Sequence, residues 1–394
     1  MTTTPRLYLD HAATTPVLPE VVAAFLPYLT EQFGNASSVH AFGQRARAAV
    51  EQSRRHVAAL FGAEPTEVTF LSGGTEANNL AIRGVAEAYG DASRRNHIIT
   101  TSFEHPAVLA PCQALEAAGF RVTYLPVSLA GRVSAAEVAQ ALTDETLLVT
   151  VMLANNEVGT LQPIAEIGAL VAERRRRGQT LFFHTDAVQA VGKVPVNVRD
   201  LGVDLLSLSG HKIHAPKGIG ALYVAKHVRL APQQLGGHQE RDRRAGTEAV
   251  ANIVALGCAA QLAAQRLDQM AQVRNLRDTL EHELQARLPW MAVNGGASPR
   301  LPNISNLAFD GLDANRLVIA LDLAGIAIST GSACSSGSTE PSHVLRAMGL
   351  PPERVRGSIR ISLSHTTAPS DIARVIDLLP KTVERLARLQ NPTD

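Results

Sequence analysis

The chain reads as an α/β protein in which a mostly parallel sheet is wrapped by helices and a smaller α+β module follows at the C-terminal end. Three observations predict this. Short apolar runs alternate with helix-length segments between about residues 67 and 224, at the spacing of βαβ units. A long helical zone from about Glu248 to Arg287 then interrupts the rhythm, and the domain boundary falls inside it. With 394 residues, the chain is long enough for two cores.

Taken in order, Arg6–Asp10 alternates like a short strand, and His11–Pro16 follows as a turn. Pro19 to Thr30 has helical spacing, Phe33–Ser38 is a loop of turn formers, and Phe42–Phe61 carries an apolar face opposite Arg, Glu and Gln. Glu67–Ser72 is a strand that runs through Gly73-Gly74-Thr75-Glu76 into a helix ending near Tyr89. His97–Thr101, Val122–Leu125, Leu147–Leu153, Leu181–Phe183, Leu205–Leu208 and Gly218–Val224 are further strands. Helices such as Ser134–Leu142 and Ile164–Arg176 separate them. Beyond the helical zone come strand Asn303–Phe309, helix Asp313–Leu323, strand Ile326–Thr330, helix Ser342–Met348, strand Ser358–Leu363 and a helix from Ser370 to about Leu389.

Composition narrows the class of function. A 45% hydrophobic, 19% charged chain with a formal charge of +1 argues against nucleic acid or a membrane surface as the main partner. The run Arg174–Arg177 closes a helix-like stretch, where cations suit the C-terminal end of the dipole. Three cysteines without framework spacing point to a reducing compartment. The first residues lack the apolar core of a signal peptide, and no apolar run approaches the roughly 18 residues of a membrane span. A soluble, cytoplasmic protein is the expectation.

Chemistry-bearing side chains gather where the strands end, which is where an open α/β sheet forms its ligand crevice. Ser209-Gly210-His211-Lys212 follows one strand, and a lysine in a dry crevice can form a Schiff base. Gly73-Gly74-Thr75 at a helix start presents backbone N–H groups to an anion, although no P-loop signature occurs anywhere. Glu104-His105 follows another strand, Asn155-Asn156-Glu157 a third, and Asp186 a fourth. Taken singly, each has an ordinary reading. Lys212 is a loop lysine, Gly-Gly-Thr a tight turn, His105 a capping residue, and Asp186 the N-cap of a helix over Ala187–Val191. Together, a Schiff-base lysine, a carboxylate for a pyridinium nitrogen and a phosphate cradle match what pyridoxal phosphate asks of a protein.

These residues carry a resemblance that runs nearly end to end. The ordered matches are Tyr8-Leu9-Asp10, Ala13–Pro16, Phe33-Gly34-Asn35, Ser72–Glu76, Glu104-His105, Asn155–Gly159, Asp186–Gln189, Ser209–Lys212, Arg244–Thr247 and Gly331–Gly337. With them the chain resembles the cysteine desulfurases of the fold-type I, aminotransferase class V group, in particular the housekeeping and nitrogen-fixation enzymes (IscS and NifS types) that supply sulfur for iron–sulfur clusters. The resemblance implies a large pyridoxal 5′-phosphate domain over 16–260 with a mostly parallel seven-stranded sheet, and a small domain from 1–15 and 261–394. It implies that Lys212 is the Schiff-base lysine and proton carrier, that Asp186 pairs with the ring nitrogen, that His105 stacks on the ring and that Gln189 meets its oxygen. Gly74, Thr75, Ser209 and His211 would hold the phosphate, with Thr247 reaching it from the neighbouring subunit of a homodimer. Asn156 would lie beside cofactor and substrate, and Arg360, assisted by Asn35, would take the substrate carboxylate. One departure is His214-Ala215, where the family pattern has Tyr-Gly.

Of the three cysteines, Cys112 and Cys258 lie in apolar helical stretches and read as buried, inert core thiols. Cys334 lies among Gly331, Ser332, Ser335, Ser336 and Gly337, a stretch with little to bury, as in loops that carry function. The resemblance makes it the nucleophile that takes sulfur from L-cysteine as a persulfide, leaving L-alanine, and delivers it to an acceptor such as an iron–sulfur scaffold protein. No resident metal is expected, and Cys334 would meet iron only as a passing ligand to a nascent cluster. The alternatives are a selenocysteine lyase or another class V pyridoxal-phosphate enzyme, and, from outside enzymes, a silent scaffold. Activity of Cys334→Ala on each substrate separates the first two, and a yellow holoprotein excludes the third.

Overall fold

Seven strands make the central sheet, in the spatial order Val68–Leu71, Gly220–Val224, Leu205–Ser209, Phe182–Asp186, Thr146–Thr150, His97–Thr101 and Arg121–Leu125. The structure, a computed structural model, describes residues 6–91, 95–330 and 341–390. Only Gly220–Val224 runs antiparallel to its neighbours, and the other pairings are parallel. The five inner strands are buried at every residue, which is why the sequence shows apolar runs there instead of alternation. Several of their polar members are paired within the sheet. His184 joins three strands by bonding Thr150 Oγ1 at 2.8 Å and Ser207 Oγ at 3.0 Å, and burial pushes its pKa down to about 3.

Helices Ala41–Leu60 and Val250–Gln265 lie against each other beside this sheet. Their backbones close up at Gly257, where a Cβ would stand 2.6 Å from Ser53 Cα. The zone from Glu248 to Arg287 is two helices, Val250–Gln265 and Met270–Arg287, with a turn over Leu267–Gln269 and a bend of 57° between them. Ala259 and Ala260 of the first helix belong to the large core, whereas Val273, Leu280 and Leu284 of the second belong to a separate core with Leu307, Leu317, Ile359 and Leu379. This second core is built on an antiparallel sheet in the order Ser358–Ser362, Ile304–Ala308, Ala292–Val293, covered by helix Pro369–Gln390. Among the described residues, no single helix is long and apolar enough to cross a membrane.

The N-terminal segment crosses from one core to the other. Leu7–Tyr8 pairs in parallel with Ile326–Ala327, and Leu9 packs into the smaller core, while Ala12 is already in the larger one. Asp10–Thr14 is the turn at that crossing, closed by Ala13 N donating to Asp10 O at 3.0 Å.

Three local expectations change. The sixth strand in chain order, Phe182–Asp186, carries Asp186 as its last residue, and Ala187–Val191 forms successive turns instead of a helix. Pro195 follows too soon for a helix to propagate. Cys258 is half-exposed, its Sγ 3.8 Å from Glu20 O, so only Cys112 is the buried thiol foreseen, and burial pushes its pKa up to about 12. In the arginine run, Arg175 turns inward and bonds buried Asp204 at 2.5 Å, so the run is only partly a solvated cap.

Candidate active site

Strands Phe182–Asp186 and Leu205–Ser209 are parallel neighbours, so their C-terminal ends present Asp186 and, one turn later, Lys212 on the same side. Helix Gly74–Tyr89 starts beside them. A Cβ on Gly74 would stand 2.9 Å from Val188 Cγ2 and 3.3 Å from Ser209 Cβ, so only glycine lets the helix start approach these loops. The pocket so formed has a cavity volume of about 160 Å³ and is lined by Gly74, Thr75, His105, Asn156, Asp186, Gln189, Ser209, His211, Lys212 and Arg360, together with Ala12, Ala13 and Asn78.

Each charged group is held from behind. Asp186 is buried. Its Oδ2 accepts from Asn78 Nδ2 at 2.7 Å and its Oδ1 from Val188 N at 3.0 Å, so it caps the turn after its strand and also faces the pocket. Lys212 Nζ donates to Ala13 O at 2.8 Å and also to Ala12 O. Behind Lys212, the buried Lys193 ammonium donates to the Lys212 carbonyl at 3.4 Å. Burial, then the charge of Lys212, pushes Lys193 down to about 7. Burial, then Lys212, likewise lowers His211 to about 4, and its Nδ1 lies 3.1 Å from Thr14 Oγ1. His105 caps helix Pro106–Ala117, Nδ1 accepting from Ala107 N at 3.1 Å. Glu104 before it is wholly buried, and burial pushes its pKa up to about 8 even though Met152 N and Thr101 Oγ1 donate to it.

The opposite side comes from the smaller sheet. Arg360 is 2% exposed; Nη1 donates to Asn156 O and Nη2 to Asp10 Oδ1, each at 2.8 Å. Gln189 Nε2 donates to Ala12 O at 2.9 Å. His214 adopts a left-handed φ of 68° and bonds Pro16 O through Nδ1, so the departure at 214–215 packs against the N-terminal segment, outside this pocket.

Ten of the thirteen residues singled out from sequence therefore line one pocket. Asn35 and Thr247 do not: both are exposed, and Asn35 Oδ1 accepts from its own loop at Ser37 N, 2.9 Å. Cys334 lies outside the described residues. Sequence reading missed Asn78, the acceptor carbonyls of Ala12 and Ala13, and the use of Asp10 as partner of Arg360. Asn78 was findable, as a polar residue among Ala77, Leu80 and Ala81 on an apolar helix face. Nothing in the sequence pairs residue 10 with residue 360. Among the described residues no cluster of three or more His, Cys, Asp or Glu could hold a metal ion.

The donor set fits pyridoxal phosphate on the chemistry it presents. An amine and a carboxylate share the pocket with a helix N-terminus, and two buried amide oxygens, Asn78 Oδ1 and Gln189 Oε1, have no partner among the described residues. An aldehyde, a protonated ring nitrogen, a phosphate and a ring hydroxyl answer to these groups.

Similarity to known proteins agrees with the geometry. The family described as aminotransferase class-V matches residues 7–375. A cysteine desulfurase of Trichormus azollae is 51% identical over 384 residues, covering 97% of this chain and 94% of its own. A cysteine desulfurase IscS of Dictyoglomus turgidum is 46% identical, covering 97% of this chain and 95% of its own. A solved structure described as a NifS-like protein superposes with a TM-score of 0.89 at 34% identity, over 97% of this chain and all of that one. The chain belongs to the aminotransferase class-V family, in its cysteine desulfurase branch.

Proposed function

We propose that this chain is a pyridoxal-phosphate-dependent cysteine desulfurase that takes sulfur from L-cysteine onto Cys334 and releases L-alanine. One observation carries the reading: Lys212 and Asp186 meet in a single pocket at the ends of neighbouring parallel strands, beside the Gly74 helix start. When bound, pyridoxal phosphate supplies an electron sink for bonds at the substrate's α and β carbons.

The chain's own residues then divide the work. Lys212 Nζ is the point of covalent attachment and, when free, the base that takes and returns a proton at the substrate Cα. Asp186, fixed by Asn78 and Val188 N, keeps the ring nitrogen protonated. His105 would face the ring and Gln189 its oxygen, and the N–H groups of Gly74 and Thr75, with Ser209 and His211, would hold the phosphate. Arg360 holds the substrate carboxylate by charge-assisted hydrogen bonds, with Asn156 beside it. Cys334 Sγ accepts the sulfur as a persulfide, and a reductant or a sulfur-acceptor protein, such as an iron–sulfur scaffold, removes it.

The working unit of this proposal is a cytoplasmic homodimer. Leu26, Leu29, Phe33, Val39 and Phe42 are exposed on either side of the Asn35 loop, with Phe33 and Phe42 in contact, and apolar exposure of this kind supports a covering partner. Thr247 lies exposed and outside its own chain's pocket, which supports its reaching the phosphate of the partner subunit. The test is alanine and sulfide formation from L-cysteine with a reductant, for wild type beside Cys334→Ala. Wild type should give the two in equal amounts. The variant should keep its visible cofactor band and lose turnover. Alanine release at the wild-type rate from the variant would remove Cys334 from the reaction.

A further inference from the structure

We infer that Asp10 is the positioning residue for the substrate carboxylate, acting through Arg360; this rests on reading Arg360 as the carboxylate ligand. Arg360 is nearly inaccessible, and its guanidinium carries five donors in one rigid plane. In the structure Nη1 is engaged by Asn156 O and Nη2 by Asp10 Oδ1, both at 2.8 Å, while buried Nε has no partner among the described residues. A planar fork held at both terminal nitrogens cannot turn about its Cδ–Nε bond without losing one of these contacts, so the remaining N–H groups point in one fixed direction. Of the two anchors, Asp10 is the charged one. The other carboxyl beside Arg360, Glu157, takes the hydroxyl of Ser342 at 2.6 Å instead.

Asp10 does not itself line the pocket. Its backbone bridges Ser362, two residues from Arg360, and its carbonyl accepts from Tyr8 Oη at 3.0 Å and Ala13 N at 3.0 Å. The backbone that carries the carboxylate is therefore tied to the strand it serves. The same turn supplies the Ala12 and Ala13 carbonyls that hold Lys212 Nζ. One crossing segment thus sets both cationic groups that the substrate meets. Because Asp10 neutralises Arg360, the incoming carboxylate is selected by the direction of the N–H groups more than by net charge. Loss of Asp10 should therefore weaken substrate binding and leave the chemical step alone.

The experiment measures KM and kcat for L-cysteine, and the Kd of L-alanine by calorimetry, on cofactor-loaded enzyme. Asp10→Ala should raise KM and the alanine Kd by about 10- to 100-fold, with kcat changed by less than about threefold. Asp10→Ser, which also falls short of Nη2, should do the same and serves if the alanine variant does not fold. Asp10→Asn keeps an acceptor oxygen at the same reach and should recover most of the loss. Asp10→Ala added to Arg360→Ala should cost nothing further. Unchanged KM in Asp10→Ala and Asp10→Ser, an asparagine variant as impaired as alanine, or losses that add in the double variant would each overturn the inference. Arg360→Ala alone with wild-type KM would instead overturn the reading of Arg360.

Discussion

The two walls of the pocket are built in opposite ways. The wall that bears Asp186, Ser209 and Lys212 is made of consecutive βα units of the large sheet, and each side chain sits at a strand's end because the strand stops there. The wall that bears Arg360 is assembled from an N-terminal turn, a loop near residue 156 and a strand near residue 360. The first is fixed by local chain geometry within a buried sheet. The second depends on hydrogen bonds between segments up to 350 residues apart. Substitutions on the first wall should therefore damage chemistry, and those on the second should damage binding.

The hardest test of that contrast is Asp186→Ala. It removes the only carboxylate that lines the pocket among the described residues, and kcat should fall about 10²- to 10³-fold while KM moves little. A variant with raised KM and intact kcat would put Asp186 on the binding side and break the comparison. Asn78→Ala is the milder version. Asp186 Oδ2 loses its 2.7 Å donor but keeps its place through Val188 N. One hydrogen bond to a charged group is worth about 1.5–3 kcal/mol, so kcat should fall about ten- to a hundredfold. Equal losses in Asn78→Ala and Asp186→Ala would mean that the carboxylate works only when held by that amide.

The same contrast explains what could be read from sequence. Strand, glycine pair and helix start follow each other in the chain at residues 67–76, as strand and lysine do at 205–212, so the first wall was legible as local pattern. Arg360 was legible only through the family resemblance, and its partner Asp10 not at all, since the pairing depends on how two cores are joined by Asp10–Thr14. The turns after Asp186 were misread as a helix because the Asx contact to Val188 N looks the same in sequence as an N-cap. Cys258 was misread because an almost wholly apolar helix gives no sign of which edge is left uncovered.

The smallest effects separate the walls by pH, in unfolding experiments on the cofactor-loaded protein. His11, on the N-terminal segment, is pushed down to about 4 chiefly by burial, then by the charges of His214, His365 and Lys193. The unfolded chain binds a proton there that the folded chain refuses, so this neutral imidazole stabilises above about pH 6.5 and the contribution is lost as pH falls towards 4. Glu104, on the sheet wall, has the opposite sign. Burial raises it from 4.5 to about 8, so its contribution is complete below pH 4.5 and is lost as pH rises through 8. His11→Gln should flatten the acid limb of stability against pH, and Glu104→Gln the limb between pH 4.5 and 8, each by at most about 1.4 kcal/mol per pH unit. The glutamine at 104 keeps an oxygen for Met152 N and Thr101 Oγ1, so its effect reports the proton and not the lost contact. A Glu104→Gln profile parallel to wild type across that range would mean that the carboxyl ionises normally inside the sheet, and the sheet wall would then be more hydrated than its burial implies.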